Sequence, residues 1–299
     1  MSWLTEPFAY DFMVRAAVAT AAVCVAAPVC GVWALSRRLV YLTDAMSHGI
    51  LAGVAGAALI GGSLLLGGLL AAVTMALFVS VLVVRARVPE DGATGVVGQG
   101  LFAAGVLGVS MQSNPRALSH ILFGNALTVT VADAVINVVL ATLVAVVVTT
   151  MRPVLIATTF DAVHARTVGI RVGLVDAVLL VVLAVTVVTG LVTVGVLMAV
   201  TLIVAPAVTA RLLAHSLNAM VGLAVACGLA SGAVGLLISY HLGLPTGPTV
   251  ALVAVAQVGA AAAWKRPSRM LRRLVRDRQP LRSVRMRRRS AEAGASQIS

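Results

Sequence analysis

The sequence predicts an all-α, polytopic helical membrane protein with eight or nine transmembrane helices, and three observations carry that prediction. Of the 299 residues, 60% are hydrophobic and 11% charged, with a mean hydropathy of +1.05, whereas about a quarter of the residues of an ordinary soluble domain are charged. The apolar residues gather into runs as long as the roughly 20 residues that cross a bilayer as a helix. Between the runs, Arg residues fall at alternate connections, the asymmetry that marks cytoplasmic ends.

Taken in order, the runs cover about 13–35, 38–60, 64–84, 93–111, 131–151, 173–190, 218–240 and 248–264. The stretch 191–210 is also apolar but is interrupted by Gly195, Pro206 and several Thr, so it reads as a ninth span or as a broken, re-entrant helix. Arg37 and Arg38, Arg85 and Arg87, Arg152 with Arg166 and Arg171, Arg211 and the C-terminal residues mark one side, and the opposite connections carry only Arg116. That parity gives nine crossings, an external N-terminus and a cytoplasmic C-terminus; eight full spans need a different parity somewhere. Glu6 and Asp11 stand where a signal peptide carries basic residues, so the first run is expected to stay as a span.

Residues 1–264 form the expected transmembrane domain and 265–299 a basic tail. The tail holds twelve of the 22 Lys and Arg against Asp277 and Glu292, and so carries ten of the twelve net positive charges. A cytoplasmic anchor with a disordered end accounts for it, and no specific nucleic-acid binding is expected; an arm for anionic lipid or RNA is the alternative. The longest polar stretch before the tail is the loop 152–171, reading TTFDAVHARTVGIRVG in its later part. Asp161 is a candidate N-cap for a short helix to about Val168, with Gly169 as its stop. That helix is a docking element or a connector. Cys24, Cys30 and Cys227 lie singly in apolar runs, which indicates neither a disulfide framework nor a thiolate metal site.

Lys265, the only lysine, sits in WKRPS, so no Gly-rich loop ending in Lys and Ser or Thr exists to hold a nucleotide. GxSxG and HExxH are absent too, and the chain is expected to be no enzyme. The chemistry concentrates instead in RRLVYLTDAMSHGILAG, Arg37 to Gly53, where Asp44 and His48 share a helix face. Counted from Arg38 they lie about 9 Å and about 15 Å along a helix in a hydrocarbon core about 30 Å thick, where ionisable residues mark function. A carboxylate and an imidazole at this spacing suit a borderline divalent ion such as Zn²⁺ or Mn²⁺. Two ligands make a weak, open site, which suits a transported ion rather than a resident cofactor. Alternatively, the pair only locks helix packing by hydrogen bonding. Ser47 adjoins His48 and points about 100° away from it on a helix, which disfavours a nucleophilic triad. His120, His164 and His215 fall near boundaries or in loops. His241, in SYHLGLPTGP, closes an apolar helix at a Gly-Pro break on the outer side, a candidate entry position.

These residues resemble the integral membrane subunit of the zinc/manganese uptake ABC transporters, the metal-cation permease family. The similarity runs from about Pro28 to Ala262 and rests on APVCGVWALSRRLVYLTDAMSHGILAGVAG, LFGNALTVTVADA, DAVHARTVG, VGVLMAVTLIVAPAVTARLL and LPTGPTVAL, in that order. The resemblance implies an ABC importer permease in a bacterial plasma membrane, forming a homodimer above two ATP-binding cassette subunits and receiving its ion from an extracytoplasmic solute-binding protein. It implies that Asp44 and His48 lie on the metal path, and that Asp161, Ala165 and Gly169 belong to the coupling helix that meets the ATPase. Pro206, Ala207 and Ala210 match its PAxxAR segment. The chain departs from the pattern at Gly243, where an Asp is common two residues before the proline, and at Asn125, where the family has Asp. Loss of the first carboxylate leaves His241 as a candidate third ligand and leans the cargo toward Zn²⁺ over Mn²⁺. A type II permease for a metal chelate or cobalamin, and an ion-coupled secondary transporter, are the competing readings.

Overall fold

The structure is a computed structural model that describes residues 6–111 and 129–277. A 3₁₀ turn at Glu6–Ala9 precedes α1 (Asp11–Ser36), α2 (Val40–Leu59), α3 (Leu64–Arg85), α4 (Glu90–Ser110) and α5 (Val131–Thr150). Two short helices follow, α6 (Arg152–Phe160) and α7 (Ala162–Thr167), and then α8 (Val172–Val194), α9 (Val196–Leu213), α10 (Leu217–Leu242) and α11 (Thr246–Asp277). No strand occurs among the described residues. Eight of the described helices are long and apolar enough to cross a membrane, namely α1 to α5, α8, α10 and α11, matching the eight predicted runs. His120 and Asn125 lie outside the described residues.

Local chemistry explains many of the boundaries. Thr130 and Asp133 form a reciprocal capping box at the start of α5, and the hydroxyls of Ser63 and Ser216 accept from the first turns of α3 and α10. Contacts divide the chain into two units, Met1–Val258 and Gly259–Ser299, the boundary falling inside α11. That helix runs past the compositional break at Lys265 as far as Asp277.

The stretch 191–210, whose path the sequence leaves open, turns back on itself. Gly195 has φ +89° and ψ 161°, a combination essentially restricted to glycine, and it separates α8 from α9. A Cβ placed on Gly190 would lie 2.8 Å from Cβ of Ala199. Residues on either side of the break therefore face each other, and α9 returns along α8 as a separate helix of 18 residues. It packs deeply: Leu202, Ile203, Ala207 and Ala210 are fully buried.

Helix α1 is the hub of the first unit. Its residues enter one cluster with Ile50 of α2, Met75 of α3, Val188 of α8, Leu202 of α9 and Val250 of α11. They enter a second with Val144 of α5, Leu155 of α6 and Leu183 of α8, around Trp33. α3 and α5 leave most of their apolar surface outward, as expected where lipid is the solvent.

Small residues bring α2 into place. Gly53 and Gly67 meet where α2 crosses α3, so that a Cβ on either would collide with the carbonyl oxygen of the other. Only glycine permits that approach. Gly98 and Gly105 of α4 likewise lie against Ala45 and against Leu51 and Ala52 of α2. Gly53→Ala is expected to spread the crossing and to destabilise the protein by about 1–3 kcal/mol, whereas Gly56→Ala, whose Cβ would meet nothing within 4 Å, is expected to be silent. Melting temperatures of the detergent-solubilised variants measure the difference, and equal values for the two would refute the close crossing.

Candidate ion site and coupling segment

The chain between α1 and α2 turns within Arg37–Leu39, so α2 begins at Val40. Asp44 and His48 consequently lie about 6 Å and about 12 Å into α2 at 1.5 Å per residue. The pair is nearer that end than a count from Arg38 predicts, because the turn takes up three residues. Both side chains are half-buried, His48 33% exposed and Asp44 51%.

Nε2 of His48 and Oδ1 of Asp44 are 3.8 Å apart. That is too long for a hydrogen bond, so the separation leaves room for a third atom. An ion held tetrahedrally by a nitrogen and an oxygen at about 2.1 Å would set them about 3.4 Å apart, within reach of a small side-chain rotation. The imidazole also packs edge-on against Phe102 of α4, with ring centroids 5.2 Å apart, which restricts its orientation. Phe102 is a site residue that the sequence pattern does not single out, because it sits on another helix with no motif of its own. Ser47 is fully buried, and its hydroxyl donates to the Asp44 carbonyl at 2.7 Å. That bond directs it to the backbone, as expected for a packing residue and not for a nucleophile.

His241 stands at the end of α10, its ring edge-on to Tyr240 at 5.2 Å, beside the left-handed cap at Gly243. Among the described residues no group of three or more His, Cys, Asp or Glu is assembled to hold a metal ion. Within one chain, therefore, Asp44 and His48 come together as a pair, and His241 does not join them in one set. His164 and His215 are exposed.

At the α5–α8 connection the predicted short helix forms as α7. The carboxylate of Asp161 accepts from the His164 N–H at 2.8 Å, and Gly169, at φ +86°, closes the other end. There Ile170 N–H donates to Ala165 O at 2.9 Å and Gly169 N–H to Arg166 O at 3.1 Å, the paired bonds of a Schellman stop. Ala165 is completely buried, whereas Asp161 and Gly169 are exposed. Around them Phe160, Val163 and Val168 are 73%, 74% and 65% exposed. No motif in the sequence marks these three. Their signal was present as large apolar residues in a short polar segment.

The described helices thus form a bundle of membrane-length spans with an ionisable pair inside one of them and a capped helical segment between two others. The chain belongs to the ABC 3 transport family, whose family model matches residues 9–263. It is 32% identical over 252 residues to the chelated iron transport system membrane protein YfeD of Yersinia pestis, covering 84% of this chain and 85% of that one. It is 31% identical over 254 residues to the manganese transport system membrane protein MntC of Listeria innocua, covering 85% and 91%. Among solved structures, PsaBC from Streptococcus pneumoniae in complex with Fab superposes with a TM-score of 0.82 at 25% identity, covering 87% of this chain and 94% of that one.

Proposed function

We propose that the protein is the membrane-spanning subunit of an ABC importer that moves a first-row divalent metal ion by alternating access, with ATP hydrolysis in a separate subunit. The observation that carries this reading is the Asp44–His48 pair, two ligands held 3.8 Å apart and open on one side in an apolar helix. Two ligands leave an ion undersaturated. A homodimer in which each copy contributes its own Asp44 and His48 would complete a four-ligand shell. The capped α7 and its apolar neighbours suit a second partner, the ATPase, at the end of the bundle where Arg37, Arg152 and Arg211 cluster. Positive charge there supports a cytoplasmic assignment for that end, and the basic composition of residues 265–299 supports the same for the C-terminus. An extracytoplasmic solute-binding protein would deliver the ion from the other side. His241 is a candidate for that entry, not for the central pair.

The relatives named for manganese and iron, together with the carboxylate in the ligand pair, favour Mn²⁺ or Fe²⁺. Zn²⁺ remains supported by the imidazole and by Gly243 in place of a carboxylate, since zinc binds such donors more tightly. ATP-dependent uptake of radioactive manganese, iron and zinc by the permease reconstituted with its ATPase tests both levels. Uptake of at least one ion, abolished without ATP, is expected. Transport by the permease alone, driven by an ion gradient, would overturn the importer reading and favour a secondary transporter. A metal chelate is the second reading, supported by the relative named for chelated iron; uptake of the chelate but of no free ion would establish it.

A further inference from the structure

Two arginines stand side by side where α1 ends, and the structure gives them different work. Arg38 is exposed, as a residue that anchors a helix end in water should be. The side chain of Arg37 is only 10% exposed, and burying a guanidinium is unfavourable unless its donors are met. Three of its five donors are met, from two other elements. Nη1 pairs with the Asp176 carboxylate of α8, Nη2 donates to the Thr158 hydroxyl, and Nε donates to the Thr159 hydroxyl at 2.9 Å.

Both threonines are prepared to accept. Thr158 donates its own proton to the Val154 carbonyl at 2.9 Å and Thr159 to the Leu155 carbonyl at 2.5 Å, leaving the hydroxyl oxygens with lone pairs toward Arg37. Thr159 and Phe160 end α6, and the next residue, Asp161, is the cap of α7. On its other side Arg37 is continuous with the ion-bearing helix. Leu39 N–H donates to Ala34 O at 2.8 Å and Arg38 N–H to Leu35 O at 3.4 Å, closing α1 with Arg38 at φ +62°. L side chains avoid that left-handed conformation, and it is a candidate pivot between α1 and α2. Leu39 then caps α2, and Asp44 follows in its second turn. A cavity of about 450 Å³, lined by Arg37, Arg38, Leu39, Glu90, Thr158 and Asp176 among others, adjoins the pairing and gives the guanidinium room to shift.

We propose that Arg37 is the positioning residue that transmits movement of the coupling segment, α6 and α7, to the helix bearing Asp44 and His48. This rests on the importer reading above. Its three bonds make α6, α8 and the α1–α2 turn move together, so a push on α7 reaches Asp44 through a path of bonded groups. The shared geometry is discrete, as a two-state element requires.

The test uses the complete reconstituted complex and three variants: Arg37→Ala, Arg37→Lys, and Thr158→Val combined with Thr159→Val. The last keeps the Arg37–Asp176 pair and removes only the link to α6. Ions transported per ATP hydrolysed are expected to fall at least about tenfold in Arg37→Ala and in the double variant, with ATP hydrolysis near wild type, and less in Arg37→Lys. Metal affinity of the solubilised permease should stay unchanged in all three. Hydrogen exchange gives a second reading that needs no cargo: ATP binding is expected to alter exchange over residues 40–48 in the wild type and to leave it unaltered in the double variant. A wild-type ratio of ions to ATP in the double variant, or an undiminished response over 40–48, would overturn the role of Arg37. A wild-type complex that takes up no metal would instead refute the importer reading, with the exchange result still deciding the coupling. Should Arg37→Ala fail to fold, the double variant decides the outcome.

Discussion

Asp44→Ala and His48→Ala are each expected to lower ATP-dependent metal uptake by at least about tenfold, with the complex still assembled and still hydrolysing ATP. On the proposed reading each substitution removes one of the two candidate ligands of a chain, and disturbing even the groups that orient a ligand commonly costs about 10–100-fold in affinity. In a homodimer the loss occurs twice in one shell. Asp44→Asn should resemble Asp44→Ala in uptake, because the amide keeps the shape but not the charge that offsets a divalent ion. The half-exposed setting of both side chains makes a folding defect an unsuitable explanation for the effect. His215→Ala, in the exposed connection between α9 and α10, is the matched control and should transport as wild type. Uptake by Asp44→Ala and His48→Ala equal to that control would eliminate the pair as the ion path and leave it a packing device.

Replacing Phe160 and Val163 together by Asp is expected to detach the ATPase and, with it, all ATP-driven transport. These side chains are 73% and 74% exposed on either side of the Asp161 cap, outside the membrane-length helices. Burying a large apolar side chain stabilises an interface by about 1.5–3 kcal/mol. A carboxylate in the same place adds a desolvation cost. Metal binding by the permease alone should be unaffected, which separates this effect from the first. Co-purification of the tagged permease with its ATPase measures it, and undiminished co-purification would place the contact elsewhere. Substitution of Ala165 gives no such clean result. It is fully buried within its own chain, so a larger side chain there disrupts the seating of α7 before it reaches any partner.

How much of this was legible in the sequence differs from residue to residue. The Asp161 cap and the Gly169 stop were readable because a cap is decided by residues three or four apart. The same holds for Asp44 and His48, which one helix must bring to one face. Phe102 was not readable: it meets His48 from α4, and nothing local distinguishes it from other apolar residues. The family pattern singled out Asp161, Ala165 and Gly169 together, yet burial divides them into two exposed positions and one that seats the helix. Arg37 and Arg38 look alike in sequence, and a count of charges treats them as one anchor. Only their surroundings separate a buried, triply bonded side chain from a solvated one.

By itself the sequence determined the eight long apolar helices, the alternation of Arg between connections, the ionisable pair on one helix face and the capped segment between α5 and α8. Each depends on length, composition or spacing within about one helical turn. Tertiary structure decided the reversal at Gly195, the Gly53–Gly67 crossing, the contact of Phe102 with His48 and the bonds of Arg37 to α6 and α8. The physical reason lies in the solvent. A helix in a bilayer is apolar on the side that faces lipid as well as on the side that faces its neighbours, so hydropathy does not reveal which face packs. The choice falls to close approach of small residues and to the pairing of buried polar groups, and both exist only once the helices are side by side.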